Sequence, residues 1–266
     1  MTAALEVQSL CRSFDGIVVA DNISLSLAAG DRVALIGPNG AGKTTFVNLV
    51  TGTLKPDAGR ILLAGVDVTA VSDVERVRRG LVRTFQITRL FPDMTVHEHL
   101  MLALLQRAEK TGRLFASLDS FKDAGAEADD LIAQLGLAPV ADVKVRALAY
   151  GHQRLVEIAI AVALKPKVLL LDEPAAGIPH DEVLRIIEAL ERLPADLAIL
   201  MIEHDMDLVF RFAERVIVLA AGKIVCQGTP EEVGRDPAVR AVYLGSYASR
   251  DRDALGPGPT VGRGRA

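Results

Sequence analysis

The period of hydrophobic and polar positions changes several times along the 266-residue chain. "LEVQSLCRSF" (5–14) and "NISLSLAAG" (22–30) alternate apolar and polar residues, which predicts half-buried antiparallel strands. "RVALIG" (32–37) is a continuous apolar run and predicts a strand buried on both faces. It opens into "PNGAGKTTFVNLVTG", where glycines turn the chain and a helix begins. "DEVLRIIEALERL" (181–193) has the helical period, with Val183, Leu184, Ile187 and Leu190 on one apolar stripe and Ile186 at its rim. "LAILMI" (197–202) predicts a further strand, and "ERVIVLAAGKIVCQG" (214–228) a hairpin turning at Ala221-Gly222. Between 87 and 147 the texture is helical and more charged, with loops near 110–112 and 136–139; it reads as a helical insertion. Alternating strand and helix signals define an α/β fold.

Composition narrows the functional classes. Apolar residues make up 50% of the chain but come in short runs such as "VLLL", none long enough to span a bilayer. "MTAALEVQSL" has no basic region followed by an apolar stretch, so no secretory signal is expected. Two distant cysteines, Cys11 and Cys226, give neither a disulfide framework nor a metal spacing and suit a reducing cytosol. A net charge of -4 gives no electrostatic reason to expect nucleic acid. The stretch from about 250 onward is rich in Gly, Pro and charge, so 246–266 is expected to be a disordered tail.

The strongest chemical signal is "GPNGAGKT", Gly37 to Thr44, which fits G-x-x-x-x-G-K-[ST] between a strand and a helix. Gly37, Gly40 and Gly42 let the backbone wrap so that its N–H groups face phosphate oxygens, and the helix N-terminus adds a positive dipole end. Lys43 reaches the β- and γ-phosphates in such a loop, and the Thr44 hydroxyl ligates Mg²⁺. Pro38, Asn39, Ala41 and Thr45 complete the phosphate-binding set. The second signal is "KVLLLDEP" (167–174), a buried strand ending in two acids. Asp172 is placed to hold Mg²⁺ through water, and Glu173 is the candidate general base for the attacking water. Gln86 in "RTFQ" and His204 in "MIEHD" each end a predicted strand, where ligands gather in open α/β sheets. Gln86 is assigned both to catalysis and to the metal.

The order of phosphate loop, "TFQ", a Leu-x-x-Gly signature, "LLLDEP" and "IEHD" resembles the ATP-binding subunit of an ABC transporter over residues 4–245. The resemblance implies a P-loop NTPase ABC cassette: a RecA-like core, an antiparallel β subdomain, and a helical insertion at about 87–165 carrying the signature. It implies ATP and Mg²⁺ as cofactors. It also implies a dimer, with each ATP between the phosphate loop of one subunit and the signature of the other. Phe14 falls where the family places an aromatic that stacks on adenine; the alternative is a plain strand residue.

Finer strings, "RTFQITRLFPDMTVHEHL", "LAYGHQRLVEIA", "DEPAAGI" and "IEHDMDLVF", resemble one ATPase of the branched-chain amino acid importers. That group carries Leu-Ala-Tyr-Gly where other cassettes have Leu-Ser-Gly-Gly, so Ala149 and Gly151 are assigned to the phosphate of the partner's nucleotide. Losing the serine hydroxyl removes a bond to a charged phosphate worth roughly 1.5–3 kcal/mol, while backbone N–H groups remain. His152 and Pro179 are departures from the family pattern; Pro179 stands where an aspartate helps to knit the dimer. The expected protein is an active ATPase, peripheral on the cytoplasmic face of the inner membrane, that drives uptake of amino acids or similar small polar solutes. Its implied partners are integral permease subunits, a second homologous cassette and, indirectly, a solute-binding protein. An ATPase of lipid or lipopolysaccharide export, or a soluble non-transport cassette, are the alternatives.

Three features are set aside. His97 and His99 in "HEH" point about 200° apart on a helix and share no ligand site; a solvated or interface helix is expected there. "ERVRR" (75–79) reads as a solvent-facing helix. Phe91, Met94 and Val96 form an apolar surface that is either local packing or, by resemblance, the seat of a membrane subunit's coupling helix.

Overall fold

The computed structural model describes residues 2–84, 90–108, 122–239 and 241, the side chains of 180 and 181 excepted. Gln86, the 110–112 loop and the expected tail lie outside the described residues.

Two sheets organise the chain. β1 (Leu5–Phe14), β2 (Ile17–Leu27), β4 (Ala58–Leu63) and β5 (Val66–Asp67) form an antiparallel sheet in the order β2-β1-β4-β5. β1 and β2 turn at Asp15 and Gly16, both at positive φ, and pair from Phe14↔Ile17 to Leu5↔Leu27. The second sheet runs β10-β9-β3-β8-β7-β6: β10 is Lys223–Gly228, β9 Arg215–Ala220, β3 Arg32–Ile36, β8 Ala198–Ile202, β7 Val168–Asp172 and β6 Leu81–Arg83. All of its pairings are parallel except β10 with β9. Every residue of β7 and β8 is buried, as the apolar runs "VLLL" and "AILMI" require, and Asp172 at the end of β7 is buried with them.

Helices cover the parallel sheet on both faces. α1 (Lys43–Thr51) packs Phe46, Val47, Leu49 and Val50 against Val33, Leu35, Leu170 and the antiparallel sheet. The other core joins Ala34, Ile36, Leu169 and Leu171 to α3 (Val96–Arg107), α4 (Lys122–Gln134), α5 (Tyr150–Ala163), α6 (His180–Glu191) and α7 (Met206–Phe212). Short α2 (Asp73–Arg78) and α8 (Pro230–Arg235) complete the α-helices of the described residues. α3 starts on a capping box: the Thr95 hydroxyl accepts from the Glu98 N–H at 3.1 Å, and Glu98 accepts from the Thr95 N–H at 2.7 Å.

Three sequence expectations need correction, and a fourth, left open between two readings, is narrowed. On α6 the buried stripe is Val183, Ile186, Ile187 and Leu190, spaced i, i+3, i+4, i+7; Ile186 is fully buried and Leu184 is 43% exposed. In the "ERVRR" run Arg76 is 1% exposed, because its guanidinium reaches backbone carbonyls of Leu49, Val50, Thr69 and Val71. His99 is buried, its ring bridging the Phe91 N–H and the Thr95 carbonyl. Val96 is core and Met94 half-buried, so of the expected apolar surface only Phe91 is exposed.

Candidate active site

β3 lies between β8 and β9, where the strand order reverses, and the phosphate loop leaves from its carboxyl end. Gly42 is the N-cap of α1 at φ 101, and a Cβ there would stand 2.5 Å from the Val19 carbonyl oxygen. Glycine is required by conformation and by space. The β9–β10 turn braces the loop: Gly222 N–H donates to the Ala41 carbonyl at 3.0 Å. Gly37 and Ala41 are buried, while Asn39, Gly40 and Thr44 are exposed and Pro38 and Thr45 half-buried. Lys43 Nζ donates to the carbonyls of Gly37 (2.6 Å) and Pro38 (3.1 Å), so its charge is held over the loop. Burial pulls its ammonium below the ordinary value, and the negative charges of Glu173 and Asp172 oppose that pull.

Asp172 ends β7 beside β8, and its carboxylate pairs with the guanidinium of Arg83 at the end of β6. Arg83 also donates to the Asn48 side chain of α1 at 2.8 Å, joining the acid to the phosphate-loop helix. Glu173 follows at φ 47, a left-handed conformation that costs a non-glycine residue about 1–3 kcal/mol. Its N–H donates to Ile202 O at 2.9 Å, and its carbonyl accepts from Ala176 N–H (3.1 Å) and Arg154 (3.4 Å). Strain at this position is held by neighbours on two elements, as at a site that needs one fixed carboxylate direction. His204 stands just beyond β8 with an exposed imidazole.

The structure therefore brings Lys43, Asp172 and Glu173 together by charge, with His204 on the loop of the adjacent strand. Ala149 and Gly151 lie apart from them: they open α5, on the opposite face of the sheet from α1. The Gly151 N–H, at the helix N-terminus, donates to Glu182 Oε2 at 3.1 Å. Pro179 opens α6, its carbonyl accepting from the N–H groups of Glu182 (2.9 Å) and Val183 (3.2 Å). Phe14 ends β1 at 40% exposure, and the Arg12 guanidinium sits 4.7 Å above its ring, so one ring face is covered.

Sequence reasoning missed Arg83, Arg154, Glu182 and Glu203. The available signal was a charged residue inside an apolar run, as in "GLVRTF" and "AILMIEHD", where burial demands a partner. Among the described residues no group of three or more His, Cys, Asp or Glu side chains could hold a metal. The oxygen donors Thr44 and Asp172 suit Mg²⁺, which takes few protein ligands and completes its shell with phosphate and water.

A glycine-rich loop at a sheet switch point, facing a strand-end acid pair, defines a nucleotide-hydrolysing cassette. Residues 20–176 match the family described as "ABC transporter", and 223–249 match "Branched-chain amino acid ATP-binding cassette transporter". The chain belongs to the ABC transporter family and is one of its ATPases. It is 42% identical over 250 residues to the high-affinity branched-chain amino acid transport ATP-binding protein LivG of Escherichia coli (strain K12), covering 91% of this chain and 97% of that one. It is 36% identical to the lipopolysaccharide export system ATP-binding protein LptB of Acidithiobacillus ferridurans, over 92% of this chain and 98% of that one. The solved ADP conformation of MJ1267, an ATP-binding cassette of an ABC transporter, superposes with a TM-score of 0.79 at 30% identity. It covers 92% of this chain and 100% of that one.

Proposed function

We propose that this chain is the ATP-hydrolysing subunit of an importer for branched-chain or related amino acids, working at the cytoplasmic face of the inner membrane. The observation that carries the substrate class is the match of 223–249 to the branched-chain family, joined to the likeness to LivG. In this reading Lys43 and the backbone N–H groups of Gly37 and Asn39–Thr45 hold the β- and γ-phosphates. Thr44, Gln86 and Asp172 would hold Mg²⁺, which would neutralise phosphate charge when bound. Glu173 would orient and deprotonate the attacking water, with His204 and, by its assignment from the sequence, Gln86 acting on the γ-phosphate. Adenine rests against the face of Phe14 away from Arg12, beside the exposed Ile17 and Val18.

The position of Ala149 and Gly151, on the other face of the sheet from the phosphate loop, supports a dimer in which each chain's α5 completes the other's site. The second cassette is a homologous subunit. A groove of about 510 Å³ between α2 and α5, lined by Val74, Val77, Leu90, Ile160 and Leu164, suits an apolar helix of a permease subunit. Arg83 also lines this groove, which connects it to Asp172. A solute-binding protein would act through the permease. Among the described residues no helix is long and apolar enough to cross a membrane, so the transmembrane path belongs to other subunits in this reading. The likeness to LptB favours lipopolysaccharide export as the second reading.

The test is reconstitution of the chain with its permeases and partner cassette in vesicles. Uptake of leucine, isoleucine or valine that requires ATP, and is lost with Glu173→Gln while ATP still binds, is expected. Turnover stimulated by lipopolysaccharide instead of amino acids would establish the second reading and overturn the first.

A further inference from the structure

Glu203 is a carboxylate directly after the apolar strand β8, 1% exposed, and no role above uses it. Its Oε1 accepts the Ala175 N–H at 3.0 Å, two residues past Glu173. Its Oε2 accepts the N–H groups of His204 (3.0 Å) and Asp205 (3.4 Å), and His204 Nδ1 lies 3.7 Å from the same oxygen. Its own backbone N–H donates to Leu35 O in β3 at 3.4 Å, the strand that feeds the phosphate loop. One side chain thus fastens the segment after Glu173 to the loop that carries His204. Hydrogen bonds to an ionised acceptor are stronger than neutral ones, and a buried carboxylate without them is costly. The arrangement therefore stands or falls as a unit.

We infer that Glu203 is a positioning residue for hydrolysis: its two oxygens set the Glu173 segment and the His204 loop in one register, so that both address the same γ-phosphate. It touches neither nucleotide nor water. A glutamine at 203 offers one carbonyl oxygen, and its amide group meets N–H donors on the other side. It satisfies the Ala175 arm or the His204 arm, not both. The inference rests on the hydrolytic reading of Glu173 and His204.

The experiment compares wild type, Glu203→Gln, His204→Ala and the double variant, each as the full chain in the assembly that turns over ATP. Turnover is divided by the fraction of sites that bind ATP. Losing hydrogen bonds to a charged acceptor predicts a fall in kcat of about 10- to 100-fold for Glu203→Gln. KM for ATP should stay within about two-fold, because the phosphate loop is untouched. In the His204→Ala background the same substitution should cost no more than about three-fold, since residues acting as a unit are non-additive. Wild-type kcat in Glu203→Gln, or an equal loss in both backgrounds, overturns the inference. So does a loss wholly accounted for by fewer binding-competent sites, which would make Glu203 structural. An inactive wild type in every pairing overturns the hydrolytic reading itself, a different failure from any of these.

Discussion

Arg76→Ala tests whether the buried guanidinium holds α1 to the antiparallel lobe. Arg76 Nη1 donates to Leu49 O (2.9 Å) and Val50 O (2.6 Å) in the last turn of α1, the first of which also accepts the Gly52 N–H at 3.2 Å. Nη2 donates to Thr69 O at 2.9 Å and Nε to Val71 O at 3.1 Å. Carbonyls at a helix C-terminus have no partner within the helix, and a cation there also favours the dipole. Burial lowers the guanidinium's pKa, countered by the charges of Asp67 and Asp73, and the group stays protonated. Four charge-assisted bonds at about 1.5 kcal/mol each give about 6 kcal/mol, of which water entering the space returns part; a net loss of about 4 kcal/mol follows. With a urea m-value of about 3 kcal/mol/M, the midpoint falls by roughly 1.3 M. Arg79, three residues on, is the internal control: its 3.1 Å pair with Glu75 is half-exposed, so Arg79→Ala should cost less than about 0.5 kcal/mol. Arg76→Lys keeps the charge but loses the fork, and should fall between the two. Urea unfolding followed by circular dichroism reads all three. A loss below about 1 kcal/mol for Arg76→Ala, or one equal to that of Arg79→Ala, would refute the reasoning.

Further outcomes are expected elsewhere. Gly42→Ala places a methyl against the Val19 carbonyl at a positive φ and should weaken binding of a fluorescent ATP analogue by more than about ten-fold; affinity within two-fold of wild type would contradict the loop geometry. Glu127 is held down to about 2, first by the Arg107 side-chain bond and then by Lys165. A depressed carboxylate pKa stabilises the fold above the unfolded value near 4.5 and loses that contribution as pH falls toward 2. Wild type should therefore lose stability over that window more steeply than Glu127→Gln in acid titrations followed by fluorescence; parallel curves would refute the linkage. Glu182→Ala frees the Gly151 N–H, so ATP-dependent dimerisation in a Glu173→Gln background should tighten by about three-fold or more. Unchanged sedimentation at matched ATP would show that Glu182 does not compete for that donor.

Period and run length carried the architecture because each has one physical cause. An unbroken "RVALI" or "VLLL" is stable only between two covered faces, and both are central parallel strands. The phosphate loop was legible because its glycines are demanded by backbone geometry that a local string can express. Leu184 was drawn into the α6 stripe by its apolarity alone, although Ile186 keeps the i, i+3 spacing. Arg76, Arg154 and Glu203 stayed hidden for a different reason. A charge is taken as a marker of solvent until its partners are known, and Leu49, Glu173 and Ala175 are supplied by other segments. Sequence spacing carries no information about which distant carbonyl or N–H will be waiting.

The parallel sheet is a shared wall between two cores. In β7 Leu169 and Leu171 face the helical side, while Val168 and Leu170 face α1 and the antiparallel sheet. In β3 Ala34 and Ile36 divide from Val33 and Leu35 in the same way. Volume changes on one side are absorbed there, because a strand's alternate side chains do not touch across the sheet. Sequence drift can thus remodel the helical side without disturbing the packing beneath the phosphate loop. Half of the interior can be rewritten while the nucleotide-facing half keeps its packing.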